Sequence, residues 1–166
     1  MKYSVIQSNL LTKDIHCERC GKMEEKNPAK EFLQKVKIYD SHINEKLEEL
    51  ARLKELTTKI TASYGGDVVS GTHNQDKLGD AVAKIADLES DIDNAVDAYV
   101  DKKKEVSAII DKIDNPNYID ILYKRYFGYK SWESIACEMN YTYQWVCELH
   151  GRALQEVKKL LKTQKS

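Results

Sequence analysis

Residues 28–60 read PAKEFLQKVKIYDSHINEKLEELARLKELTTKI, and this stretch decides the fold. Its apolar residues recur at intervals of three and four, which is the spacing of one face of an α-helix. Asn27 can cap such a helix, and Pro28 suits its first position, where no backbone N–H is needed. At about 1.5 Å per residue the helix would be roughly 50 Å long, too long for a compact globule of this size. The sequence therefore predicts an elongated helical arm.

A second stretch with the same periodicity runs from residue 78 to residue 113. Between the two, residues 62–75 have the composition of a loop, with three glycines, Ser70 and Asn74. The simplest arrangement is an antiparallel helical hairpin over residues 28–114, closed along a coiled-coil-like seam. Two helices leave the apolar residues beside the seam half covered, so we expect a third helix or a second copy of the chain to dock there.

A separate module is predicted for residues 115–166. The tripeptide Asp114-Asn115-Pro116 ends the second long helix and can cap the next one. Three shorter helices are expected, over residues 116–127, 131–139 and 142 to about 161, with Ser131 and Thr142 as N-caps. A short helix, a brief turn and a longer helix form a helix-turn-helix. The expected core residues are Ile119, Leu122, Tyr126, Ile135, Ala136, Met139, Val146, Leu149, Ala153 and Leu154.

Charge is distributed unevenly along the chain. Residues 115–166 hold eight Lys and Arg against five Asp and Glu, a net charge of +3, and the remainder holds 18 against 22, a net charge of −4. The basic residues gather near the C-terminal end of the sequence. This excess favours an anionic partner, although a basic helix end also complements its own dipole.

The sequence SWESIACEMNYTYQWVCELHGRAL, residues 131–154, resembles the fourth conserved region of bacterial sigma factors. More broadly, residues 28 to about 161 are similar in layout to small phage and prophage proteins, including late-gene transcription regulators of the ArpU and RinA type. Residues 1–27 lie outside the resemblance. It implies an all-α protein in which a helical hairpin precedes a helix-turn-helix that binds double-stranded DNA.

The resemblance implies which residues of the last helix meet DNA. Where sigma factors place several arginines, this chain has Tyr143, Trp145 and Cys147. Gln144 can pair with adenine and Glu148 can accept from cytosine N4. Phosphate contacts are expected from the tyrosine and tryptophan and from basic residues further along the helix. The candidate DNA-binding residues are Tyr143, Gln144, Trp145, Cys147, Glu148, Gly151, Arg152, Lys158 and Lys159.

Near the N-terminus, Cys17 and Cys20 have the spacing of a zinc knuckle and are followed by Gly21. A structural zinc ion needs four ligands, and this motif supplies two, or three with His16. The sequence has no second CxxC, so a zinc site would have to be shared between two copies or closed by His42. The alternatives are a reduced, poorly ordered tail and redox chemistry, which the missing βαβ pattern disfavours.

The sequence contains no GxGxxG, no phosphate-binding loop ending in Gly-Lys-Ser/Thr and no HExxH, so we do not expect an enzyme. No apolar run is long enough to span a membrane, and a cytoplasmic protein is expected. The leading hypothesis is a phage-type transcription regulator whose hairpin contacts RNA polymerase or a second copy. Two alternatives are a DNA-packaging factor similar to terminase small subunits and a module that binds only protein.

Overall fold

The computed structural model of the protein describes residues 27–63 and 72–163, with side chains described for 27–59 and 78–163. All regular secondary structure in these ranges is α-helical, which confirms the predicted fold class. Two long helices pack together and three shorter ones follow. The helices are α1 (Pro28–Ser63), α2 (Thr72–Ile110), α3 (Pro116–Tyr126), α4 (Trp132–Met139) and α5 (Tyr143–Thr163).

The start of α1 follows from its local sequence. The side-chain oxygen of Asn27 accepts a hydrogen bond from the backbone N–H of Ala29 at 3.1 Å, and its carbonyl accepts from Glu31 at 3.0 Å. The predicted cap is therefore present. The helices extend further into the expected loop than its composition suggested, because residues 62–63 and 72–75 are helical. Once a long helix is formed, adding a polar residue to its end costs little.

The helices α1 and α2 form an antiparallel hairpin. Ion pairs cross between them from Lys46 to Asp91, at 3.0 Å, and from Lys54 to Glu89, at 2.7 Å. As the residue number rises along α1, the partner's number falls along α2, which is the antiparallel order. Apolar side chains further along the arm are incompletely covered, as expected for two helices: Leu47, Leu56 and Val82 are 41%, 53% and 55% exposed.

The main hydrophobic core lies where the base of the hairpin meets α3, α4 and α5. It is continuous across the predicted boundary at residue 115, because buried residues of both long helices contact those of the three short ones. Among the predicted core residues, Ile119 and Met139 are only half buried, whereas the unpredicted Ile121 and Val157 are fully buried. The buried core consists of Ala29, Leu33, Val36, Val106, Ile109, Ile110, Ile113, Ile121, Leu122, Tyr126, Ile135, Ala136, Val146, Leu149, Ala153, Leu154 and Val157.

The connection from α3 to α4 depends on a close backbone approach. The N–H groups of Phe127 and Gly128 both donate to the carbonyl of Tyr123, at 3.0 and 2.9 Å. A Cβ on Gly128 would lie only 2.9 Å from the carbonyl oxygen of Lys124, so this position has no room for a side chain. The left-handed backbone conformation falls on the next residue, Tyr129, with φ of 52°.

Candidate nucleic-acid interface

A tight turn joins α4 to α5. Asn140 ends α4 in the left-handed conformation, with φ of 55° and ψ of 40°. The N–H of Tyr141 then donates to the carbonyl of Ala136 at 3.0 Å. Both predicted N-caps are present: Ser131 Oγ accepts from the N–H of Ser134 at 3.3 Å, and Thr142 Oγ1 accepts from that of Trp145 at 3.2 Å. The turn is therefore fixed by its own residues.

A buried polar and aromatic cluster joins α3, α4 and α5. His150 of α5 is 7% exposed, and its Nε2 lies 3.1 Å from the hydroxyl of Tyr126 on α3. The ring of Trp132, the first residue of α4, meets the histidine edge-on at 4.7 Å between centroids. Burial, together with the positive charges of Arg125 and Lys30, lowers the pKa of His150 to about 3, so the imidazole is neutral near pH 7. The sequence alone does not reveal this pairing, because the histidine and Tyr126 lie 24 residues apart.

The predicted reading residues divide into two groups by exposure. Gln144, Trp145, Glu148 and Arg152 are exposed on the first half of α5, with 40% of the tryptophan accessible. The half-buried members, which lie at the edge of this surface, are Tyr143, Cys147 and Gly151. Hereafter the four exposed residues are called the reading face.

Three of the four side chains of the reading face contact one another. The guanidinium of Arg152 forms an ion pair with Glu148 at 2.5 Å and lies over the ring of Trp145, 5.3 Å from its centroid. On the other side, the tryptophan meets the exposed ring of Tyr141 edge-on at 6.5 Å. The arginine charge is therefore partly balanced within the face. The face offers a partner an amide, an indole ring and an ion pair, with the exposed ring of Tyr141 beside it.

Lys158 and Lys159 are both exposed, as the sequence suggested, but they lie well along α5 from Gln144. Fourteen residues of helix separate Lys158 from Gln144, about 21 Å along the axis. Lys159 also pairs with Glu156 at 2.8 Å. The structure therefore does not bring these lysines into the reading face, and they form a basic end of the helix.

Cys17, Cys20 and His16 lie outside the described residues, so the zinc site remains a prediction. Within the described side chains, no group of three or more His, Cys, Asp and Glu residues is placed to hold a metal ion. His42, the suggested fourth ligand, is exposed on α1, while Cys137 is exposed and Cys147 half buried on the module.

None of the helices in the described ranges is both long enough and apolar enough to cross a membrane. Comparison of the chain with protein-family models, with curated proteins and with solved structures finds no match.

Proposed function

We propose that residues 115–166 bind duplex DNA in the major groove, with the first turns of α5 directed at the base edges. The observation that supports this most is the reading face itself. A helix-turn-helix with capped helices and a tight turn presents exposed polar and aromatic side chains on the first half of its second helix, where such modules contact bases.

The exposed residues suit distinct roles in such a complex. The amide of Gln144 matches the donor and acceptor of adenine, and the carboxylate of Glu148 matches the amino group of cytosine. Arg152 can reach a phosphate, and Trp145 can donate its indole N–H to one. Tyr143 and Cys147 border the face, while Lys158 and Lys159 supply charge that does not depend on sequence.

In this proposal the hairpin provides the protein contact that a transcription regulator makes in addition to its contact with DNA. Its incompletely covered apolar residues, Leu47, Leu56 and Val82, suit a protein partner, either RNA polymerase or a second copy of the chain. On this proposal the protein acts in the cytoplasm, has no catalytic role and shares the function of the phage regulators that it resembles in layout. Zinc bound by Cys17 and Cys20 would be structural.

A function confined to protein binding is the second candidate, and one observation favours it. Trp145 lies against both Tyr141 and Arg152 on the surface, and these residue types dominate the energetics of protein interfaces. The reading face also carries no net positive charge, because Arg152 is balanced by Glu148. Salt-dependent binding to random duplex DNA would separate the candidates, since a protein-binding module would show none.

The decisive experiment is selection of bound sequences from a random duplex pool, followed by two variants. Gln144→Ala should relax preference at one or two base pairs, at a cost of about 1–3 kcal/mol on the best site and little on random DNA. Lys158→Ala should weaken binding to all sequences equally and reduce the salt slope by about one. An unchanged preferred sequence in folded Gln144→Ala would contradict the placement of the reading face. Ring-shaped oligomers on sizing would favour a packaging factor instead.

A further inference from the structure

A small cleft separates α1 from the turn that joins α3 to α4. Its volume is about 80 Å³, and it lies on the hairpin side of the module. Two of its five lining side chains are basic and none is acidic. The lining residues are Gln34, Lys37, Arg125, Tyr126 and Tyr129. The cleft is therefore lined by positive charge, an amide and tyrosine side chains.

The guanidinium of Arg125 is held in place at this cleft. Its Nη1 donates to the carbonyl of Lys130 at 2.8 Å, and its Cζ lies 4.4 Å from the centroid of the Trp132 ring. Trp132 is the first residue of α4, so the arginine stands beside the N-terminus of that helix. A guanidinium fixed in this way loses less side-chain entropy when it binds an anion.

The helix α1 adds positive charge to the same place. Lys30, Gln34 and Lys37 follow one another at intervals of four and three, so they share one face of α1. Of the two lysines, Lys37 lines the cleft itself, and Lys30 lies about two helical turns away on the same face. At the edge of the cleft, burial raises the pKa of Tyr129, and the negative charge of Asp40 adds to this rise; burial also raises the pKa of Asp40, against the opposing effect of Lys103.

We propose that this cleft binds a phosphate group through Lys37 and Arg125, and that its source in the cell is the backbone of duplex DNA beside the N-terminus of α4. The choice of source rests on the function proposed above. In complexes of this kind the first helix of the helix-turn-helix crosses the backbone. Arginine offers a phosphate paired N–H donors and lysine offers it a point charge. The base of the hairpin then belongs to the DNA interface, although the hairpin as a whole is acidic.

The test compares Lys37→Ala with Lys35→Ala in the full chain. Both lysines are exposed on α1, but two residues of helix place them about 200° apart around the axis, so Lys35 points away from the cleft. Binding to random duplex DNA is measured at several salt concentrations. Lys37→Ala should reduce the salt slope by about one, and Lys35→Ala should leave it unchanged. If the wild type binds DNA and both variants keep its slope, the cleft takes no backbone phosphate and the proposal is overturned.

A second measurement tests phosphate binding at the cleft independently of the proposed binding to DNA. Inorganic phosphate is titrated into each protein at constant ionic strength while the backbone amide signals of residues 125–132 are followed by NMR. If the wild type fails to bind DNA, saturable shifts that Lys37→Ala abolishes and Lys35→Ala retains would support a phosphate site whose ligand is a free phosphoryl compound. If the wild type neither binds DNA nor shows saturable shifts with phosphate, the cleft is not a phosphate site.

Discussion

The hydroxyl of Tyr126 and Nε2 of His150 lie 3.1 Å apart across 24 residues of sequence, and this buried pair joins α3 to α5. Each side chain provides a hydrogen-bond partner for a buried polar atom of the other. A buried polar atom without a partner costs about 1–3 kcal/mol. The ring of Trp132 closes the cluster from α4. The orientation of the reading face therefore depends on a neutral histidine.

The free energy of unfolding should decrease as the pH is lowered, because of this histidine. The pKa of His150 is about 3 in the folded protein and near 6.5 in the unfolded chain, so below pH 6.5 only the unfolded chain takes up the proton. The stabilisation is present above pH 6.5 and is lost progressively as the pH falls toward 3. Between pH 6 and 5 the free energy of unfolding should drop by up to about 1.4 kcal/mol more in the wild type than in His150→Gln.

Denaturant titrations at a series of pH values measure this difference. His42→Gln is the matched control, because His42 is exposed on α1 and should leave the wild-type slope intact. Equal slopes for the wild type and His150→Gln would show that His150 is not held neutral by burial.

Two glycine-to-alanine substitutions should change stability in opposite directions. Gly128→Ala places a Cβ 2.9 Å from the Lys124 carbonyl oxygen, and the resulting strain should cost about 1–3 kcal/mol. Gly79 lies within α2 with nothing within 4 Å of its added Cβ, so Gly79→Ala should stabilise the protein by about 0.5–1 kcal/mol. Urea unfolding midpoints give both values. A harmless Gly128→Ala would mean that the α3–α4 connection is looser than described.

The turn of the helix-turn-helix should tolerate only certain residues at Asn140. Its φ of 55° suits asparagine and glycine and opposes a β-branched residue. Asn140→Val should therefore destabilise the protein by about 1–2 kcal/mol, whereas Asn140→Gly should remain within about 0.5 kcal/mol of the wild type. Thermal unfolding compares the two, and the glycine variant controls for loss of the side chain. A valine variant as stable as the wild type would argue against the left-handed turn.

Local chemistry explains what the sequence predicts well. The caps at Asn27, Asn115, Ser131 and Thr142 each bond to a backbone N–H two or three residues away, so a few neighbouring residues suffice to identify them. The continuous repeat of apolar residues likewise determines both long helices. The positions of the reading residues on α5 follow from the start of that helix at Tyr143.

Contacts between distant residues account for what the sequence does not predict. Val157 follows Ala153 and Leu154 at helical spacing, so the sequence places it on the apolar face of α5, but it does not reveal that the base of the hairpin packs on that helix. The cleft beside Lys37 exists only because α1 meets the turn after α3. The Glu148–Arg152 pair, by contrast, is local, and its spacing of four residues is that of a helical ion pair.

That ion pair leads to the last prediction. Glu148 faces the position proposed for DNA, where its charge repels phosphates and holds Arg152. Glu148→Gln should therefore raise affinity for random duplex DNA about three- to tenfold, or about 0.7–1.4 kcal/mol. If the carboxylate also accepts from cytosine, the same variant should lose about 1–3 kcal/mol of discrimination at one base pair. Protein stability should change little, because both side chains of the pair are about half exposed.

Fluorescence anisotropy with random and selected duplexes measures both effects. Glu45→Gln is the control: it makes the same change in net charge at an exposed site on α1 and should leave binding as in the wild type. Equal gains in the two variants would indicate a general charge effect. If Glu148→Gln changes neither affinity nor discrimination while the wild type binds DNA, the first turns of α5 do not face the duplex. The contact would then have to come from another surface of the module.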